Sequence, residues 1–302
     1  MATDPSEGVR PRPVPSLACG FATTGVSAAL GVAREAAGAP LYFVVSLLLA
    51  LAATSVAHGA SARDVLDKAH SLNQTERKWN DRTQKLELQI VDRRGGTRQR
   101  VLEMMQKKYE EDRSKSILFF DAPPEIKGTG FLQWVDPHNQ NQQWLYLPEL
   151  KRVRQISGSS KRESFMGTDF SYEDLAIASE ILDWTDADAD STVERQEACG
   201  SETCWVLAFA PKAKELAYAR VRAWVDDKYR LRRFEFLNDK DEVLKRLEIL
   251  DIRDVGAIPT AFRFEMDNLR GGSRTVVVFD EVKYDTGLSD AMFTERRLEK
   301  GL

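Results

Sequence analysis

From Thr83 onward the apolar residues of this chain recur with period two. In "TQKLELQIVD", Leu86, Leu88 and Ile90 alternate with Lys85, Glu87 and Gln89, and Val221, Ala223 and Val225 alternate likewise with Arg220 and Arg222. Successive side chains of a strand point to opposite faces, so this pattern specifies strands with one apolar and one polar face. Further segments of the same kind follow, among them "FLQWVD", "QQWLYLP", "KRVRQIS", "TCWVLAFAP", "RLRRFEFLND", "TAFRFEMDN" and "SRTVVVFDEVKYD". The turn signals "RRGG", "DDKY", "NDKDE", "GAIP" and "LRGGS" fall between such segments. Short strands with tight connections make an antiparallel meander, and its apolar face needs a cover.

The chain has few segments that can supply one. "ARDVLDKAHSLNQTERKW" carries Val65, Leu66, Ala69, Leu72 and Trp79 at roughly helical spacing, and residues 171–182 and the C-terminal "LSDAMF" are the other two candidates. The fold expected is mainly β: an incomplete, half-open antiparallel barrel of about ten or eleven strands, with a few helices covering the open side. An interior of that kind is larger than its own side chains fill, and suits an apolar ligand.

The first sixty or so residues differ from the rest, being rich in Ala, Gly, Pro and Ser around one apolar run, "LYFVVSLLLALAATSVA". That run is short for a membrane span, which needs about 20 residues, and fits the core of a secretory signal. Small-x-small sites end at Ala57 and Ala62. The division expected is a signal peptide with a long leader over residues 1–62 and one β domain over 63–302, with cleavage after Ala62 or Ala57 and a periplasmic address. A downstream translation start and an uncleaved membrane anchor are the alternatives. Export suits Cys199 and Cys204, since C-x4-C lacks the second pair of a zinc site and a disulfide pinning a hairpin fits "EACGSETCW". The formal net charge is -4, which gives no electrostatic case for nucleic-acid binding.

No enzymatic constellation emerges. His70 and His138 lack metal-ligand spacing, and the serines 159, 160 and 164 lack a G-x-S-x-G elbow. In "FMGTDFSYEDL", Asp169, Glu173 and Asp174 form a tempting carboxylate group, but "SYED" is a capping box that starts a helix at Ser171. Neither a metal site nor a catalytic group emerges from these residues, and no cofactor is expected.

The blocks "FFDAPPEIKGTGFLQW", "QQWLYLPELKRVRQISGSSKRESFMGTDFSYEDL" and "VRAWVDDKYRLRRFEF" resemble the outer-membrane lipoprotein-sorting proteins, in the branch similar to the periplasmic lipoprotein carrier of Gram-negative bacteria. The resemblance runs from about residue 63 to the C-terminus. It implies a hydrophobic cavity that shields the acyl chains of a lipoprotein or lipid and moves them toward the outer membrane, with a resistance-nodulation-division type inner-membrane exporter as partner and the carrier itself a monomer. A lipid-sensing regulator on the same fold is the alternative. The residues expected to line the cavity or its gate are Phe119, Trp134, Trp144, Tyr146, Phe165, Met166 and Phe170, with the inward face of the strands left open.

Overall fold

The computed structural model describes residues 59–137, 141–213 and 215–301; the apolar run over residues 41–57 and His138 lie outside them. Six strands come first: β1 (Asp81–Val91), β2 (Thr97–Lys108), β3 (Ser114–Ala122), β4 (Gly130–Val135), β5 (Gln142–Leu147) and β6 (Arg152–Ile156). Seven more follow: β7 (Ala189–Cys199), β8 (Glu202–Pro211), β9 (Arg220–Asp226), β10 (Leu231–Leu237), β11 (Val243–Val255), β12 (Ile258–Asn268) and β13 (Ser273–Tyr284). All thirteen form one antiparallel sheet in the order β6-β5-β4-β3-β2-β1-β13-β12-β11-β10-β9-β8-β7. Two meanders are thus joined where β1 pairs with β13, and β6 and β7 remain the edges of a sheet that does not close. The strand total exceeds the ten or eleven expected.

The concave face carries the main core. Leu86 and Leu88 of β1, Phe120 of β3, Phe131 of β4, Phe209 of β8 and Phe236 of β10 all point into it. Two of the three covering segments act as the sequence predicts. Helix α1 (Ala62–Gln74) buries Val65, Leu66 and Ala69 on one face, and helix α2 (Tyr172–Glu180) buries Ile177. Each begins with a capping box, Ser61 with Asp64 and Ser171 with Asp174, which satisfies amides that a first turn leaves free. Helix α1 ends at Gln74, so Trp79 is not part of it and instead lies buried at the entry to β1.

The third cover goes elsewhere. Residues 288–293 and helix α3 (Glu295–Lys300) pack on the convex side, where Phe293 and Leu298 meet Met105, Ile117, Phe119, Leu132 and Trp144 in a second core. One side of the sheet was expected to be wet throughout; over β2–β5 both sides are dry. Gly130 permits this close approach, since a Cβ there would sit 2.7 Å from Leu298 and 2.9 Å from Phe119. At the far edge, Cys199 and Cys204 form a disulfide across the β7–β8 hairpin with their Cα atoms 5.8 Å apart, as the sequence predicts.

Candidate functional site

Between α1, α2 and the concave face lies a cavity of about 1160 Å3, at the end of the sheet that holds the β2–β3, β9–β10 and β11–β12 turns. Strand alternation builds its wall in rows. Met104, Gln106 and Lys108 of β2 face it, as do Leu118, Ser116 and Ser114 of β3 and Phe131, Gln133 and Val135 of β4. The register places Met104 opposite Leu118 and Leu118 opposite Phe131, which makes an apolar row deep in the cavity. The next row toward the turns is polar, running from Tyr284 through Arg82, Gln106 and Ser116 to Gln133. Ile252, Ile258 and Ala261 of β11 and β12 and Leu175 and Leu182 around α2 supply further apolar surface. The cavity is therefore amphipathic, with an apolar interior and a hydrogen-bonding collar.

The mouth is tied across by α1. His70 Nδ1 lies 3.0 Å from Asp183 Oδ1 beyond α2, and its Nε2 lies 3.7 Å from Asp112 Oδ2 in the β2–β3 turn. Arg77 donates to the Lys228 carbonyl at 2.7 Å, which reaches the β9–β10 turn. Arg230 is committed to Asp226 and Glu202. Besides the exposed Lys78, two partly buried lining cations have no carboxylate within ion-pair distance among the described residues: Arg82 and Lys108, both stacked against Trp79. Burial depresses the pKa of each, and the charge of Arg82 adds to the effect on Lys108.

None of the seven residues expected at the site lines this cavity. Phe119, Trp134, Trp144 and Tyr146 belong to the convex core under α3, and Trp134 Nε1 donates to the Phe293 carbonyl at 3.1 Å. The expectation is corrected by one position of strand phase: Phe120, Phe131 and Leu145, their neighbours on the same strands, are the ones that face the concave side. Phe165 and Phe170 are concave but buried. Phe165 packs on Phe131 with centroids 5.3 Å apart, so it backs the inner wall rather than entering the cavity. Met166 and Gly167, with φ 50° and 73°, form a tight turn between them. Thr275 and Ser273 pin that turn by donating hydrogen bonds to Asp169.

The carboxylates of "FMGTDFSYEDL" are structural. Glu173 accepts the Ala217 amide at 3.1 Å, and burial raises its pKa. Asp174 accepts from the Ser171 amide, the Tyr218 hydroxyl and Lys245 at 2.7, 2.6 and 2.6 Å. The residues that sequence reasoning missed are Trp79, Arg82 and Lys108. Their signal was an arginine and a lysine at positions that alternate inward with apolar or amide neighbours, legible only once the inward phase is known.

A family model described as an uncharacterized protein matches residues 112–300, more than half of the chain. The structure is similar to that of a DUF1329 family protein from Desulfovibrio piger ATCC 29098, with TM-score 0.71 and 29% identity over 78% of this chain and 98% of that one. A putative outer membrane lipoprotein-sorting protein domain from Vibrio parahaemolyticus gives TM-score 0.70 and 27% identity, over 78% and 97%. The chain belongs to the family whose model it matches over residues 112–300. A LolA superfamily protein from Nitrosomonas europaea shares the family fold at TM-score 0.59 and 18% identity, over 78% of this chain and 98% of that one. No curated protein matches the sequence.

Proposed function

We propose that this family member is a periplasmic carrier that shields the acyl chains of a lipoprotein or lipid and moves them toward the outer membrane, receiving them from an inner-membrane exporter. The observation that carries the proposal is the cavity: about 1160 Å3 of space bounded by Met104, Leu118, Phe131, Ile252 and Leu175. Pockets for small ligands commonly span about 300–1,000 Å3, so this one has room for a long chain. The need is physical. Each exposed methylene costs about 0.8 kcal/mol, so a sixteen-carbon chain left in water costs on the order of 12 kcal/mol.

Protein purified from the periplasm of its own cells is expected to carry acylated species in native mass spectrometry. Ala261, on the cavity wall, offers the matching variant. Ala261→Trp fills the space and is expected to weaken uptake of a fluorescent fatty acid by about tenfold, the loss for roughly two displaced methylenes. An empty protein that takes up no fatty acid would sink the proposal.

The start of α1 supports cleavage after Ala57 over cleavage after Ala62. Ser61 caps that helix and Ala62 is its first residue, 3% exposed, so cleavage after Ala62 would remove the cap, which is worth about 1 kcal/mol. Cleavage after Ala57 keeps both. N-terminal sequencing of the exported protein is expected to start at His58, whereas a start at Arg63 would show that the cap is dispensable.

A further inference from the structure

The cavity holds a charge arrangement that its own residues leave incomplete. Arg82 Cζ lies 4.9 Å and Lys108 Nζ 4.5 Å from the centroid of the Trp79 ring. Arg82 donates from Nε to Gln106 at 2.9 Å and also hydrogen-bonds the Tyr284 side chain, partners that are neutral at pH 7, and Lys108 Nζ donates to no acceptor among the described residues. Asp112 and Asp183 influence Lys108 electrostatically but stand beyond ion-pair distance from it, and both already face His70. The other arginines around the cavity are engaged: Arg77 with backbone carbonyls, Arg113 with Glu111 and Arg230 with Asp226 and Glu202. Two neighbouring cations half-buried in the cavity wall without a counter-ion raise the energy of the fold, and cation–π contact with one ring offsets only part of it. An anion entering from the mouth would complete the set.

The placement defines what that anion is attached to. Arg82 lies in the polar row one step outward from Met104, Leu118 and Phe131, and Lys108 lies one step further toward the turns. A ligand that fills the apolar interior with a chain therefore brings its polar end to these two side chains. We propose that the cavity takes an acyl amphiphile with an anionic head, a phosphate or a carboxylate, and that Arg82 and Lys108 bind the head while Trp79 packs against the start of the chain. This rests on the assignment of the cavity to acyl chains. Guanidinium and ammonium groups suit both head chemistries, through charge-assisted hydrogen bonds that strengthen as the cavity loses water.

The test is a calorimetric comparison of three ligands of equal chain length, dodecyl phosphate, dodecanoate and dodecanol, against the intact exported protein below their aggregation limits. At low salt at least one anion is expected to bind about tenfold or more tightly than the alcohol, with the preference shrinking as salt rises. Whichever anion leads names the head group. In the double variant Arg82→Gln, Lys108→Gln the preference is expected to vanish while dodecanol binds as before. Dodecanol binding as tightly as both anions to the unmodified protein would overturn the inference and leave the acyl-chain reading standing. Binding of none of the three would overturn both. The unmodified protein alone decides between these outcomes, so the inference does not depend on the variant folding.

Discussion

Asp174→Ala is expected to destabilise the protein by about 3–5 kcal/mol, the usual cost of leaving one member of a buried ion pair without its partner. Asp174 is fully buried and serves three neighbours at once. Its Oδ2 completes the α2 capping box and takes the Lys245 ammonium at 2.6 Å, and its Oδ1 takes the Tyr218 hydroxyl at 2.6 Å. Alanine would strand a cation on β11 and a phenol beside Phe236, and would free the first turn of the helix that walls the cavity. Since whole domains are stable by about 5–15 kcal/mol, a large part of the total is at stake. Urea denaturation should show the midpoint fall. Asp174→Asn combined with Lys245→Met removes both charges together and is expected to recover part of the loss. A midpoint unchanged by Asp174→Ala would show that Lys245 finds water or another acceptor, and that α2 is held by its apolar face alone.

The strands were legible because period-two patterning is local: most of the thirteen correspond to segments marked by alternation and bounded by a turn signal. The capping box at Ser171 and the Cys199–Cys204 hairpin were legible for the same reason, since their partners lie within a few residues of each other. What local pattern cannot carry is the absolute phase of a strand apolar on both faces. Along "SILFFDA", Ile117 and Phe119 face α3 while Leu118 and Phe120 face the concave core, and all four are buried. Such a segment reads as uniformly apolar, so the direction of Phe119, Trp134, Trp144 and Tyr146 is not encoded in it. The destination of residues 288–300 decided the matter, and it is a long-range contact with β4 and β5 that no spacing encodes. Arg82 and Lys108 were hidden for the opposite reason. In a chain with 43 lysines and arginines, two of them at alternating positions look like a solvated face.

That error of phase yields the second large effect. Phe293 is 0% exposed and plugs the convex core between Phe119, Leu132 and Trp144, so Phe293→Ala is expected to lower stability by about 3–5 kcal/mol, as for other buried phenylalanines. The cavity lies on the other side of the sheet. While the variant remains folded, its uptake of a fatty acid should match that of the unmodified protein, because no residue of the convex core lines the cavity. Ala261→Trp should show the reverse, with weakened uptake and a denaturation midpoint little changed. The pair separates two roles that the sequence merges: one aromatic cluster fastens the chain's C-terminal segment to the back of the sheet, and the concave face bounds the cavity. If Phe293→Ala instead abolished uptake at temperatures where its circular dichroism is unaltered, the convex aromatics would have to reach the ligand, by movement of α3 off β4. Packing of Leu298 over Gly130 opposes that movement, since the absent Cβ lets the helix seat directly on the strand.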